Sequence, residues 1–374
     1  MNLKTGAFPA IRNLLALFTT VGEVLLRKLV GGNQGKAERD TCKRTPKLKL
    51  MDGRSLLNHT DMRTTIENCT QVTWFFLLGL TDQEGLKGTL FVLFLLIYSV
   101  TLVGNLGMII LIHMEPQLHT PMYFFLSILS FIDASLSTTD TPRLLENFIT
   151  SGQSISFAGC VVQMALMLLQ GTAECLLLAI MAYDRFVAIC HPLLYHSIMS
   201  YRLRVQLVAA TYTASVASSA LLTGCVFKLP YCGPNVINHY FCDIPAVLQL
   251  ACADTTEVEA IISLSSALIF FFTVTIILVS YAYILVTICR MHSLEAQSKA
   301  LSTCTSHLTI ICLLYGTLIF MYTQPSSRNS LEQNKVVSVF YSVIIPMLNP
   351  LIYSLRNKDV KSAFKRRYLG KLPS

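Results

Sequence analysis

The chain has 374 residues, 53% of them hydrophobic and 13% charged, with a mean hydropathy of +0.55 and a formal net charge of +8. Soluble domains carry about 25% charged residues, so a water-soluble fold of this size is excluded, and so are charge-rich disordered chains and coiled coils. The membrane class remains. Whether the basic balance means nucleic acid or an anionic membrane face depends on where the charges sit.

Residues 1–61 hold 11 basic and 5 acidic side chains. Their apolar stretch Asn13–Val30 is broken by Glu23, Arg27 and Lys28, which suits an amphipathic or signal-like segment rather than a span. Gly31–Lys49 reads as flexible. A basic leader is hard to translocate, so residues 1–61 are expected to be disordered or a mispredicted start, with Met62 opening the working protein. Residues 62–87 then form a short outer segment. Within it Asn68-Cys69-Thr70 is an N-glycosylation acceptor, and Asn58-His59-Thr60 is a second match just before it.

Uncharged apolar runs cover residues 88–112, 205–227, 260–289, 300–327 and 336–355, the shortest being 20 residues. A membrane-spanning helix needs about 20 such residues, whereas barrel strands are about 10 long and alternate. Residues 121–145, with Asp133 and Asp140, and 159–183, with Glu174, fit once one or two acids are tolerated. The fold class is an all-α membrane protein, a bundle of seven spans over residues 88–355.

Seven spans place the termini on opposite sides. The tail, residues 356–374, has seven Lys or Arg against Asp359 alone, while the 228–259 loop has Lys228 against Asp243, Asp254, Glu257 and Glu259. Basic loops stay inside, so the C-terminus is expected in the cytoplasm and the N-terminus outside. In the tail, Asn357–Tyr368 sets Val360, Phe364 and Tyr368 four apart among basic residues, a pattern for a short amphipathic helix on the inner leaflet. With residues 1–61 and the tail holding the excess, the charge gives no support to nucleic-acid binding.

Twelve cysteines are present. Cys160, Cys232, Cys242 and Cys252 lie on the outer side, where disulfides form, and four cysteines allow three pairings. Their spacing does not suit zinc. Charged residues at bilayer depth cost about 2.5–3.5 kcal/mol on insertion scales and are rarely idle. Asp133 and Glu174, with Asn105 and Asn349, read as an interior polar cluster able to hold a sodium ion, a proton or water; the plainer reading is an inter-helix hydrogen-bond staple. Asp140 and Arg143 approach the outer end of span two and are expected to be solvated. No GxSxG, HExxH, Walker A or paired CxxC string occurs in the loops, which disfavours an enzyme. A channel or transporter would call for an inverted repeat, and the halves show no self-similarity.

Five strings carry a resemblance: Leu118–Ser127 (LHTPMYFFLS), Met181–Cys190 (MAYDRFVAIC), Ser280-Tyr281, Lys299–Leu308 (KALSTCTSHL) and Pro346–Asn357 (PMLNPLIYSLRN). Together they resemble the tetrapod-type, class II, olfactory receptors of the rhodopsin-like G-protein-coupled class, over about Met62 to Lys371. The resemblance implies a G-protein switch at Asp184, Arg185, Phe186, Tyr281, Asn349, Pro350 and Tyr353, with Phe186 where many members have Tyr. It implies an interior acidic pair at Asp133 and Glu174. It implies the bridges Cys160–Cys242 and Cys232–Cys252. It places a ligand pocket in the outer half, where helical period turns Met167, Leu168, Gly171 and Thr172 inward from span three, Ser265, Ser266 and Ile269 from span five, and Tyr315, Leu318, Ile319 and Tyr322 from span six. Span three carries no acid between Met164 and Thr172, which suits small, mostly neutral volatile ligands. His307, on span six, reads as a structural histidine. The implied partners are an odorant, a stimulatory, olfactory-type G protein and membrane lipids; the implied location is the plasma membrane of olfactory cilia. A non-olfactory chemosensory receptor is the alternative within the class.

Overall fold

A computed structural model describes residues 72–81, 83–150, 153–232, 235–323, 335–356 and 358–369. The leader 1–61, the Asn68 sequon and the side chain of Tyr322 lie outside the described residues. Among the described residues, seven helices are long and apolar enough to cross a membrane. They are α1 (Glu84–Met114), α2 (Pro121–Ile149), α3 (Phe157–Cys190), α4 (Tyr201–Phe227), α5 (Thr256–Cys289), α6 (Leu294–Thr323) and α7 (residues 335–356). A shorter α8 (Lys358–Phe364) follows, and one π-helical turn interrupts α7 at Phe340–Ile344.

The helices outrun the apolar stretches read from sequence, since polar residues outside the hydrocarbon still extend a helix. α1 begins four residues before Gly88, inside the segment read as the outer N-terminal stretch, and α3 runs on to Cys190. Local signals set the starts. Pro121 opens α2, where a missing N–H costs nothing. The Gly159 amide donates to Ser156 Oγ at 3.1 Å at the start of α3.

α3 is the central post. Every residue from Ala173 to Arg185 is buried, as a helix surrounded by other helices requires. α1 and α5 lie at the rim and turn apolar side chains outward: Val103 is 74% exposed and Phe271 67%. Apolar exposure on this scale suits lipid and not water. α1 and α7 approach closely because residue 104 is Gly; a Cβ there would stand 3.0 Å from Pro350 Cγ.

One end of the bundle carries the lid expected from the 228–259 loop, built on a small sheet that the sequence reading did not foresee. β1 (Trp74–Leu77) lies between β2 (Gln153–Ser156), antiparallel, and β3 (Val236–Ile237), parallel. Phe75, Leu77, Ile155 and Ile237 are almost fully buried beneath this sheet, while Trp74 and Phe76 alternate outward. Cys160–Cys242 ties the lid loop to the start of α3, with Cα atoms 5.5 Å apart, and Cys232–Cys252 closes the loop on itself at 5.8 Å. At the opposite end, α8 buries Val360 and Ala363 and leaves Phe364 half exposed. The expected Val360–Phe364 face is therefore split between the bundle and its surroundings.

Candidate ligand cavity and switch region

Beneath the lid is a cavity of ≈ 220 Å³. α3 supplies Met164, Met167, Leu168, Gly171, Thr172, Glu174 and Cys175; α5 supplies Ser266, Ile269 and Phe270; α6 supplies Leu314, Tyr315 and Leu318. Leu136 of α2, Tyr341 of α7 and lid residues Phe241, Cys242, Asp243 and Ile244 complete it. Two of the pocket residues read from sequence do not line it. Ser265 sits one residue, and so about 100°, away from the inward line through Ser266 and Ile269. Ile319 is 49% exposed, on the outer side of α6. Sequence reasoning also missed the lid side chains and Tyr341. Nothing local marks them; only the bridge from Cys242 to Cys160 draws Asp243 down over the helices.

The buried acids form two tiers. In the first, Asn349 Nδ2 donates to both carboxylate oxygens of Asp133, at 3.1 and 2.9 Å. Glu174 faces the same pair, and its Oε1 has no hydrogen-bond partner. Asn105 stands apart from the acids: its Nδ2 donates to the carbonyls of Thr101 at 3.0 Å and Pro346 at 2.9 Å, stapling α1 to α7.

The second tier corrects an expectation. Asp140 is not solvated but fully buried, and neither carboxyl oxygen has a hydrogen-bond partner. The lid covers what helix position alone leaves open. Asp243 faces Asp140 from the lid, and burial pushes its carboxyl up to about 6. Around them, Tyr240 Oη meets Ser342 Oγ at 3.1 Å, and the Cys242 amide donates to Gln163 Oε1 at 3.1 Å. His239 accepts the Phe241 amide on Nδ1 and meets Ser338 with Nε2, the pattern of a neutral ring. Burial, with Lys335 nearby, pushes it down to about 3.

At the other end, Arg185 Nη2 pairs with Asp184 Oδ2 at 2.6 Å. Tyr195, in the loop after α3, donates its hydroxyl to Asp184 Oδ1 at 2.9 Å. Burial, then Asp184, raises the Tyr195 phenol above its ordinary value. Sequence reasoning missed Tyr195, which lies eleven residues from Asp184 with no motif to join them. Phe186 packs on Tyr183, His191 and Tyr283. Tyr281 bonds His307 Nδ1 at 2.8 Å, so the histidine has a structural partner. Tyr353, three residues after Pro350, is fully buried, and its hydroxyl has no hydrogen-bond partner.

The family profile described as olfactory receptor matches residues 94–371. Olfactory receptor 5P55 of Mus musculus is 52% identical over 307 residues, 82% of this chain and 99% of its own length. Olfactory receptor 8U9 of Homo sapiens is 52% identical over 304 residues, 81% and 98% respectively. This chain belongs to the olfactory receptor family. It is a multi-pass membrane receptor and not an enzyme.

The receptor's tail helix is fastened across the bundle end. Arg366 Nη1 donates to Gln117 Oε1 at 2.8 Å and Nη2 to Glu115 Oε2 at 3.2 Å, while Tyr123 donates to Asp359 at 3.2 Å. The olfactory receptor's cysteines at 175, 190, 225, 289, 304 and 312 are free thiols.

Proposed function

We propose that this receptor binds small, mostly neutral volatile molecules in the cavity under the lid and activates a stimulatory, olfactory-type G protein at the Arg185 end, raising cAMP. The observation that carries the reading is the pairing of a mostly apolar cavity under the lid at one end with a held arginine at the other. A cavity of ≈ 220 Å³ is below the usual range of about 300–1,000 Å³ for drug-sized ligands, so the ligand is small. Two adjacent methionines in the lining, Met164 and Met167, adapt to several shapes.

The steps follow from the residues. At rest Asp184 and Tyr195 hold Arg185, and Asn349 of α7 is tied to Asp133 of α2. A ligand that fits one packing of α3, α5 and α6 better than another shifts the population toward it. Glu174 belongs both to the cavity wall and to the Asp133–Asn349 tier, so a change at the ligand reaches α7 within one contact. Pro350, which lacks an N–H, leaves a place for α7 to bend. Release of Arg185 then opens a site for the G protein. The basic tail orients this end toward the cytoplasm, and the lid, with the Asn68 glycan, outside. Asp133 and Glu174 would share a sodium ion or a proton that the switch displaces. A ciliary plasma membrane is the expected location.

The test is Arg185→Ala, checked for surface expression and assayed for odorant-evoked cAMP against a broad panel. Loss of the response is expected. A normal response from Arg185→Ala at the surface would refute the switch assignment.

A further inference from the structure

The cavity wall carries two carboxyl groups, and a receptor for simple neutral volatiles needs neither. Glu174 belongs to the tier of Asp133, and Asp243 to the tier of Asp140. Asp133 and Asp140 are seven residues apart on α2, which is about 10.5 Å along the helix axis. The carboxyl facing each one therefore lies at a different depth of the same cavity. Between the two depths the wall is apolar, with Met167, Leu168, Ile269 and Leu318. The lining contains no Lys, Arg or His.

One acceptor and one hydroxyl there have no partner. Glu174 is 2% exposed and its Oε1 has no hydrogen-bond partner; Tyr315 is 6% exposed and its hydroxyl has none either. A buried polar atom left unpaired is costly, and a ligand that pairs it removes that cost. A ligand N–H or O–H does so. A ligand carboxylate instead brings a like charge toward two acids with no basic side chain in the wall to offset it.

We infer that the cavity selects short linear molecules with a hydrogen-bond donor at each end, such as terminal diols, amino alcohols and diamines, one end on Glu174 and the other on Asp243. This rests on the odorant-receptor reading and names its ligand class. Taking the axial spacing of Asp133 and Asp140 as the spacing of the carboxyls that face them, two hydrogen bonds of about 2.8 Å each leave about 5 Å between the ligand's donor atoms, a spacer of about three to five carbons. Asp243 lies next to Cys242, so the disulfide to Cys160 fixes the upper carboxyl at its depth.

The test uses the full chain, purified in detergent, and reads ligand-induced rise in unfolding temperature, which needs no G protein. The probes are 1,4-butanediol, 4-amino-1-butanol and 1,4-diaminobutane against 1-butanol, butylamine and butanoic acid. At least one two-ended donor is expected to bind tenfold or more tightly than both one-ended compounds, with no shift from the acid. Asp243→Ala, which removes the acceptor, is expected to bring that two-ended probe down to the one-ended level. One-ended compounds binding as well as two-ended ones, or butanoic acid binding as well as either, would overturn the inference. Silence toward the whole series from a protein stabilised by other volatiles would overturn it too, and leave the receptor reading standing. Silence toward every volatile would remove both. If Asp243→Ala does not fold, the ranking of probes on the unaltered chain decides alone.

Discussion

Tyr195→Phe tests the Arg185 latch with the loss of one oxygen. Tyr195 donates to Asp184 at 2.9 Å, and Asp184 in turn pairs with Arg185 at 2.6 Å. Asp184 is fully buried, so its second oxygen has no water to replace the phenol. A hydrogen bond to a charged group contributes about 1.5–3 kcal/mol. Tyr195 is itself only partly buried, which favours the lower figure, about 1.5 kcal/mol, and that is roughly tenfold in an equilibrium. If the bond exists only in the resting arrangement, a resting population about 1% active becomes about 10% active. The assay is ligand-free cAMP normalised to receptor at the cell surface, beside the parent and Asp184→Asn. Tyr195→Phe is expected to raise basal signal several-fold to tenfold, with Asp184→Asn at or above it. An unchanged or lower basal signal at normal surface level would refute the latch, because the phenol would then hold nothing that activation releases.

The two disulfides differ in the chain they close. Removing Cys160–Cys242, with a sequence separation of 82, is expected to cost about 4.5 kcal/mol, and removing Cys232–Cys252, with 20, about 3.3 kcal/mol, on chain entropy; unfolding of paired Cys→Ser variants measures the order. The lid also contains two opposed pH terms. His239, held down to about 3, loses stability as pH falls from 6.5, because the unfolded chain takes up the proton first. Asp243, held up to about 6, gains stability as pH falls from 6 toward 4, because the folded chain takes it up first. Relative to the parent, His239→Asn is thus expected to gain stability on acidification from pH 6 to 4, by up to about 1.4 kcal/mol per pH unit, and Asp243→Asn to lose it by a smaller slope, since Asp243 is partly exposed. Melting temperatures across pH 4–7 check the signs, and equal slopes for the two variants would count against both assignments.

Much of the membrane architecture was legible before any coordinates. Apolar runs of 20 residues or more have one stable solution in lipid, the helix, because every backbone group must be satisfied within the segment. Seven such runs therefore give seven helices, and the polar intruders Asp133, Glu174 and Asn349 mark themselves by their cost. The inward face of α3 was also readable, since one helix presents a fixed period: Met167, Leu168, Gly171 and Thr172 all reach the cavity. On α5 and α6 the same period gave errors at Ser265 and Ile319, because an apolar helix surrounded by lipid and protein has no polar face to fix its rotation.

The first observation was a composition too apolar for water with an excess of basic charge, and the sequence alone determined from it the membrane class, the number of spans and the basic end. The tertiary structure decided what no periodicity encodes. It joined the N-terminal strand, the α2–α3 loop and the lid into one sheet, buried Asp140 opposite Asp243, and set Tyr195 on Asp184. Each of these joins residues distant in sequence through a loop, and a loop has no repeat from which its contacts can be read. The physical reason is that periodicity reports one element against its surroundings, whereas a lid, a latch and a cavity are relations between elements.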